Sequence, residues 1–173
     1  VIFTVLHAGG KFSDEGGYKS AGGLHGVGAS VVNALSSYVD VEVCRDKKKY
    51  SMHFEHSGKI CGRLKELGST SRTGSKVTFM PDKNIFSTTA FSYSTICEKA
   101  QEKAFLLTGI KLVVIDHNSE QKNEYLYDQG LRSFINYLHE DKEVLHDAVY
   151  FKGEASEINV EIAFQYTAGY QEN

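Results

Sequence analysis

The sequence predicts an α+β fold, a two-layer sandwich with helices on one face of antiparallel strands. Three observations carry this. Stretches of period-two apolar alternation come in adjacent pairs joined by polar turns, as hairpins do. Longer stretches with helical spacing separate those pairs. The regular strand–helix alternation of a doubly wound parallel sheet is missing.

Taken in order, the chain opens with a glycine-rich loop over 9–28, since half of its 16 glycines fall in the first 28 residues. A loop of that length inside a compact domain is usually a binding loop or else disordered. A helix is predicted over 29–38, because Val27, Val31, Leu35 and Val39 recur every four residues with Val32 beside them. Residues 39–43 (VDVEV) then alternate as a half-buried strand, and Tyr50, Met52 and Phe54 alternate likewise. The charged turn between them makes a hairpin. Residues 64–75 are rich in Gly, Ser and Thr and read as a loop. A third strand, 76–80, ends at the sole proline, Pro81.

A second helix spans 91–107, with Ile96, Ala100, Ala104 and Leu107 on one side and Gly109 beyond its end. Residues 111–116 (KLVVID) are nearly all apolar and predict a central strand. After the polar turn 117–123, residues 125–127 pair with it. A short helix over 130–138 and strands near 148–152 and 157–166 complete the order.

Composition bounds the function. A 41% hydrophobic, 24% charged chain is an ordinary globular one, so disorder is not the default. A formal net charge of −3 argues against gripping nucleic acid by phosphate neutralisation alone. Cys44, Cys61 and Cys97 show no metal-binding spacing and predict reduced thiols in a cytoplasmic protein. No apolar run approaches the ~18 residues of a membrane span. The absence of an initiator Met and the abrupt last residues predict a piece cut from a longer protein.

The chemistry concentrates in GGLHGVG (22–28), which feeds the predicted first helix. First-turn amides lack intrahelical partners, and the macrodipole adds about half a positive charge there. Glycines let an anion reach those amides. Gly23, Gly26 and Gly28 followed by Ala29 and Ser30 fit a phosphate site, with Lys11 and Lys19 as flanking countercharge. The spacing is neither a Walker loop nor a dinucleotide fingerprint, and a structural glycine loop is the alternative. Thr73-Gly74-Ser75 is a second candidate, whose ordinary role is turn bonding. His25 has no triad partner in sequence, and no paired carboxylates stand out.

These residues also carry a family likeness. HAGGKF (7–12), GGYK (16–19), GGLHGVGASVVNALS (22–36), RTGSKVTFMPD (72–82) and AFQY with YQEN (163–166, 170–173) resemble the ATPase subunit of bacterial type IIA DNA topoisomerases along essentially the whole chain. IFSTTAFSY (85–93) and KEVLHDAVYFKGE (142–154) lean toward the topoisomerase IV branch, with gyrase the close alternative. Other ATP-driven clamps of the same fold, in chaperones and mismatch repair, are more remote.

The resemblance implies a GHKL (Bergerat-type) ATP-binding sandwich, truncated at its N-terminus, over 1–129, and the start of an α/β transducer domain over 130–173. It implies that Gly22, Gly23, Leu24, His25, Gly26, Val27, Gly28 and Ala29 embrace the triphosphate, that Gly10, Lys11, Tyr18 and Lys19 belong to the lid, and that the Ser75 hydroxyl helps hold the adenine through a water. Ser75 stands where threonine is usual, and Ala21 where serine is usual. The implied cofactors are ATP and Mg2+. The implied partners are DNA, a DNA-cleaving subunit (of topoisomerase IV or of gyrase) and a second copy of the ATPase subunit. The family's general-base glutamate and magnesium-holding asparagine precede residue 1, so no catalytic or metal residue is assigned in this chain. The chain alone is therefore expected not to hydrolyse ATP; phosphate release at the rate of a no-protein blank is the expected result.

Overall fold

Val39, Val41 and Phe54 form the buried centre of the first part of the chain, with Phe3, Val43 and Met52 packed against them. In this computed structural model the described residues are 1–8, 26–60, 62–156 and 158–169. They divide into two compact units, Val1–Ala90 and Phe91–Asn173. The α+β class holds in both.

The first unit contains α1 (Gly28–Ala34), β1 (Ser36–Arg45), β2 (Lys48–Glu55), β3 (Lys59–Ile60), β4 (Lys65–Ser69) and β5 (Gly74–Pro81). The sheet runs β3-β2-β1-β5, and β4 also pairs with β2. Asp46 and Lys47, at φ 53° and 60°, make the two-residue turn of the β1–β2 hairpin, whose twist requires positive φ at both positions. The register aligns Val39 with Phe54 and Phe79, Val41 with Met52 and Val77, and Val43 with Tyr50 and Ser75. Cross-strand partners share a face, so this is the apolar one.

Two expectations are corrected here. The first helix ends at Ala34, because Ser36 pairs with Pro81 and Tyr38 with both Glu55 and Met80. Ladder bonds on two sides of β1 outweigh a helical continuation. The buried side chains of α1 are Ser30 and Asn33, whereas Val31 is 42% exposed. The predicted loop over 64–75 contains β4, drawn into the sheet by pairing with β2 rather than by propensity.

The second unit contains α2 (Tyr93–Leu106), β6 (Leu112–Asp116), β7 (Gln121–Tyr125), α3 (Leu131–Leu138), β8 (Val149–Ala155) and β9 (Ile158–Phe164). Ser92 caps α2, its Oγ accepting from the Thr95 N–H at 3.3 Å. Ala104 of the predicted face is fully buried, but its companions in the buried set are Cys97 and Phe105, while Ile96 and Leu107 stand exposed, so the helix is turned part-way from the predicted face. Phe105 is the reason. Its ring lies 3.8 Å from that of Tyr127 and 5.2 Å from those of both Phe134 and Tyr137. The strand predicted to be central, β6, pairs only with β7 among the described residues, and its partner begins at Gln121, before the predicted 125–127. Val113 and Ile115 stand exposed on it. β8 and β9 form a separate hairpin, in which Phe151 aligns with Ile162 and Val149 with Phe164.

On the polar face of the first sheet, His53 Nδ1 meets Asp40 Oδ1 at 2.6 Å and Nε2 meets Glu55 Oε1 at 2.9 Å. Both nitrogens can donate only in the imidazolium form. The Glu55 carboxylate first, and Asp40 next, accordingly raise the His53 pKa above the ordinary imidazole value. A raised folded-state pKa gives stability that is complete below about pH 6.5 and lost as pH rises through the raised value. Melting of the chain from about pH 5.5 to about pH 8.5 is expected to show that loss, and His53→Gln to flatten it. In the second unit, Phe105→Ala is expected to cost about 3–5 kcal/mol, the usual range for emptying a buried phenylalanine site, as read from denaturant unfolding.

Candidate anion-binding site at the start of α1

The site is built on backbone. Gly26 has φ +60°, a conformation that a β-branched residue adopts only under strain. It turns the chain into Val27, whose φ of −110° and ψ of −12° begin the helical path. The Val27 carbonyl accepts the Val31 N–H at 2.9 Å and the Ser30 hydroxyl at 2.9 Å. Among the described residues no side chain caps α1, and no acidic residue stands in its first turn. The amides of Gly28, Ala29 and Ser30 belong to the group that a helix cannot satisfy internally.

Gly28 carries the sharper signal. A Cβ built on it meets nothing within 4 Å, and its φ is not left-handed. Neither packing among the described residues nor backbone conformation requires glycine there. What remains is the close approach of something outside the described residues, and glycines play that role around phosphates. Among the described residues the N-terminus of α1 thus has the donors, the field direction and the clearance that an anion needs.

Gly26, Val27, Gly28 and Ala29 are contiguous at this helix start. Ser75 stands apart from them in sequence, as the second residue of β5 opposite Val43, exposed, and aligned with the apolar face to which Phe3 is packed. Gly10, Lys11, Tyr18, Lys19, Gly22, Gly23, Leu24 and His25 lie outside the described residues. Sequence reasoning missed Asn33, 2% exposed on α1, whose Nδ2 donates to the Phe3 carbonyl at 2.8 Å. A polar residue within an otherwise valine-rich helical pattern was the signal available.

The opposite face of the sheet holds a groove of about 460 Å³, lined by Asp40, Glu42, Ser51, His53, Arg63 and Lys76 among others. It is a weaker candidate for chemistry. His53 has both nitrogens committed to carboxylates. Among the described residues no group of three His, Cys, Asp or Glu side chains could hold a metal ion.

Comparison with known proteins decides the lineage. No family model matches the chain. The chain is 52% identical over 175 residues to the B-subunit of DNA topoisomerase 4 from Streptococcus pneumoniae, covering 100% of the chain and 27% of that protein. It is 52% identical over 176 residues to its counterpart from Enterococcus faecalis and 49% over 173 residues to that of Bacillus subtilis, covering 26% of each. The chain belongs to the B-subunit family of bacterial type II topoisomerases. It spans about a quarter of the length of these family members. Among solved structures it is similar to the 43K ATPase domain of Thermus thermophilus gyrase B, crystallised in complex with an aminocoumarin, at 35% identity and a TM-score of 0.79. That match covers 99% of the chain and 43% of the gyrase domain. The GHKL fold is therefore shared across the topoisomerase IV and gyrase branches of the family.

Proposed function

We propose that this chain supplies the phosphate-binding amides of the ATP-hydrolysing component of a type II topoisomerase. Gly28, open among the described residues at a helix start that none of them caps and continuous with GGLHGVG, carries the reading. Gly22, Gly23, Leu24, His25, Gly26, Val27, Gly28 and Ala29 embrace the triphosphate, Gly10, Lys11, Tyr18 and Lys19 form the lid over it, and Ser75 contacts the adenine through water. Amides fixed in a helix start need no reorganisation when the anion arrives, and the macrodipole favours each added negative charge. A triphosphate therefore binds this arrangement more tightly than a diphosphate. That differential affinity is what shifts the protein from an open to a closed population.

In the whole protein, ATP closes two copies of the ATPase component into a clamp on DNA, in complex with the DNA-cleaving component. Hydrolysis reopens it after strand passage, in the cytoplasm. The topoisomerase 4 relatives, at 49–52% identity, favour relaxation and decatenation as the outcome. Gyrase-type supercoiling is the second reading, favoured by the likeness to a gyrase B domain. Residues 1–129 contribute to the ATPase domain and 130–173 open the transducer domain. Mg2+ accompanies a bound triphosphate as its counter-ion. The described residues of this chain offer no cluster to hold it.

Gly28→Ala tests the reading, because its added methyl meets no described neighbour and needs no unusual φ. Removing glycine's extra freedom is expected to leave stability unchanged or raise it by about 0.4–1 kcal/mol. Affinity of the full-length protein for a non-hydrolysable ATP analogue is expected to fall by about tenfold or more, as a methyl group intrudes on the phosphates. Unaltered affinity in a stable variant would remove the phosphate role. Gly26→Val is the poorer probe, since strain at φ +60° acts whether or not a ligand binds.

A further inference from the structure

We propose that Asn33 is the positioning residue for the α1 amides, holding both flanks of the glycine-rich stretch to the sheet through one side chain. The inference rests on the phosphate-site reading above and adds a residue that touches no ligand.

α1 has seven residues, too few to persist on its own in water, where about 12–15 are marginal. Its direction is therefore set by its anchors. Apolar burial does not supply them, because its buried side chains are Ser30 and Asn33. Ser30 bonds back to the Val27 carbonyl within the helix and fixes nothing outside it. At the far end the Leu35 carbonyl accepts the Asp82 N–H at 3.0 Å, which ties the exit of α1 to the end of β5. Buried Ser36 of β1 adds a second tie at that end, its Oγ donating to the Val32 carbonyl at 2.6 Å. Asn33 is the anchor that reaches the segment before the glycine-rich stretch.

Its Nδ2 donates to the Phe3 carbonyl at 2.8 Å. Phe3 sits in the turn where the Thr4 and Val5 amides donate to the Val1 carbonyl, and its ring lies 5.8 Å from Phe54 in the core. On its other side Asn33 meets the turn after β2. A Cβ on Gly58, at φ +93°, would lie 2.9 Å from Nδ2. Asn33 thus joins three segments: the one before the glycine-rich stretch, the helix after it, and the turn after β2.

The Oδ1 of Asn33 is buried with no hydrogen-bond partner among the described residues. Burying an unsatisfied carbonyl costs about 1–3 kcal/mol. An apolar side chain of similar volume would avoid that cost, so the value of asparagine here lies in its donor. With Phe3 and Asp82 holding α1 at two points, the first-turn amides have one direction. With the Asn33 bond gone, α1 keeps its ties at the exit, to Ser36 and Asp82, and loses the one to Phe3.

The test uses the full-length protein with two variants, Asn33→Leu, which keeps the volume and loses the donor, and Gly58→Ala, which displaces Nδ2 from outside the site and whose added backbone strain at φ +93° is read separately by the melting temperature and by AMP affinity. Affinities for a non-hydrolysable ATP analogue and for AMP are measured alongside melting temperature. Both variants are expected to lose affinity for the analogue by about tenfold, the scale of misplaced binding groups, and to keep AMP affinity within about twofold. An equal loss for both ligands, no loss for either, or failure of both variants to fold makes Asn33 a residue of the fold alone and overturns the proposal. Failure of the unaltered protein to bind the analogue instead overturns the phosphate site itself, and this inference falls with it.

Discussion

The first unit depends on β1 being paired along both edges. Eight positions of β1 align with β2 and eight with β5, so each alternate side chain from Tyr38 to Cys44 has its face decided twice. A slip of one residue on either side would turn Val39 and Val41 to the polar face and bring Asp40 and Glu42 into the core. Burying those carboxylates is far costlier than losing one ladder bond. The double pairing also cuts α1 short at Ala34 and fixes Ser75 opposite Val43. The site inherits its geometry from this strand.

The division of labour between the two sheet faces follows from the same register. The face of Val39, Val41 and Phe54 takes Phe3 and, through Phe3, the helix with the uncapped start. The other face carries charges that satisfy one another: Lys49 with Glu42 at 3.0 Å, and His53 with Asp40 and Glu55. Exposed pairs of this kind contribute little energy each. Their effect is to keep the alternation in register, since none of these side chains can turn inward without abandoning a partner.

Much of this was legible in the sequence, because period-two alternation is a direct image of a half-buried strand. The three principal strands of the first sheet, the Asp46-Lys47 hairpin turn and α2 all follow from pattern and turn chemistry. What the pattern misread has a common cause. The valines of 27–39 suit a helix face and a strand equally well, and only pairing with β2 and β5 decides where one ends. β4 has no apolar alternation of its own and exists through its partner. Asn33 acts through a carbonyl thirty residues away, which no local window contains.

The β8–β9 hairpin has a practical consequence for anyone handling this polypeptide. Val149, Phe151, Val160, Ile162 and Phe164 lie along one side of a two-stranded ribbon, each at least 40% exposed. Among the described residues neither ribbon edge pairs with a further strand. Purified at high concentration, the 173-residue chain will tend to self-associate through this greasy ribbon. Dilute samples, or a solubilising fusion placed beyond Asn173, are the sensible starting conditions for biochemistry on it.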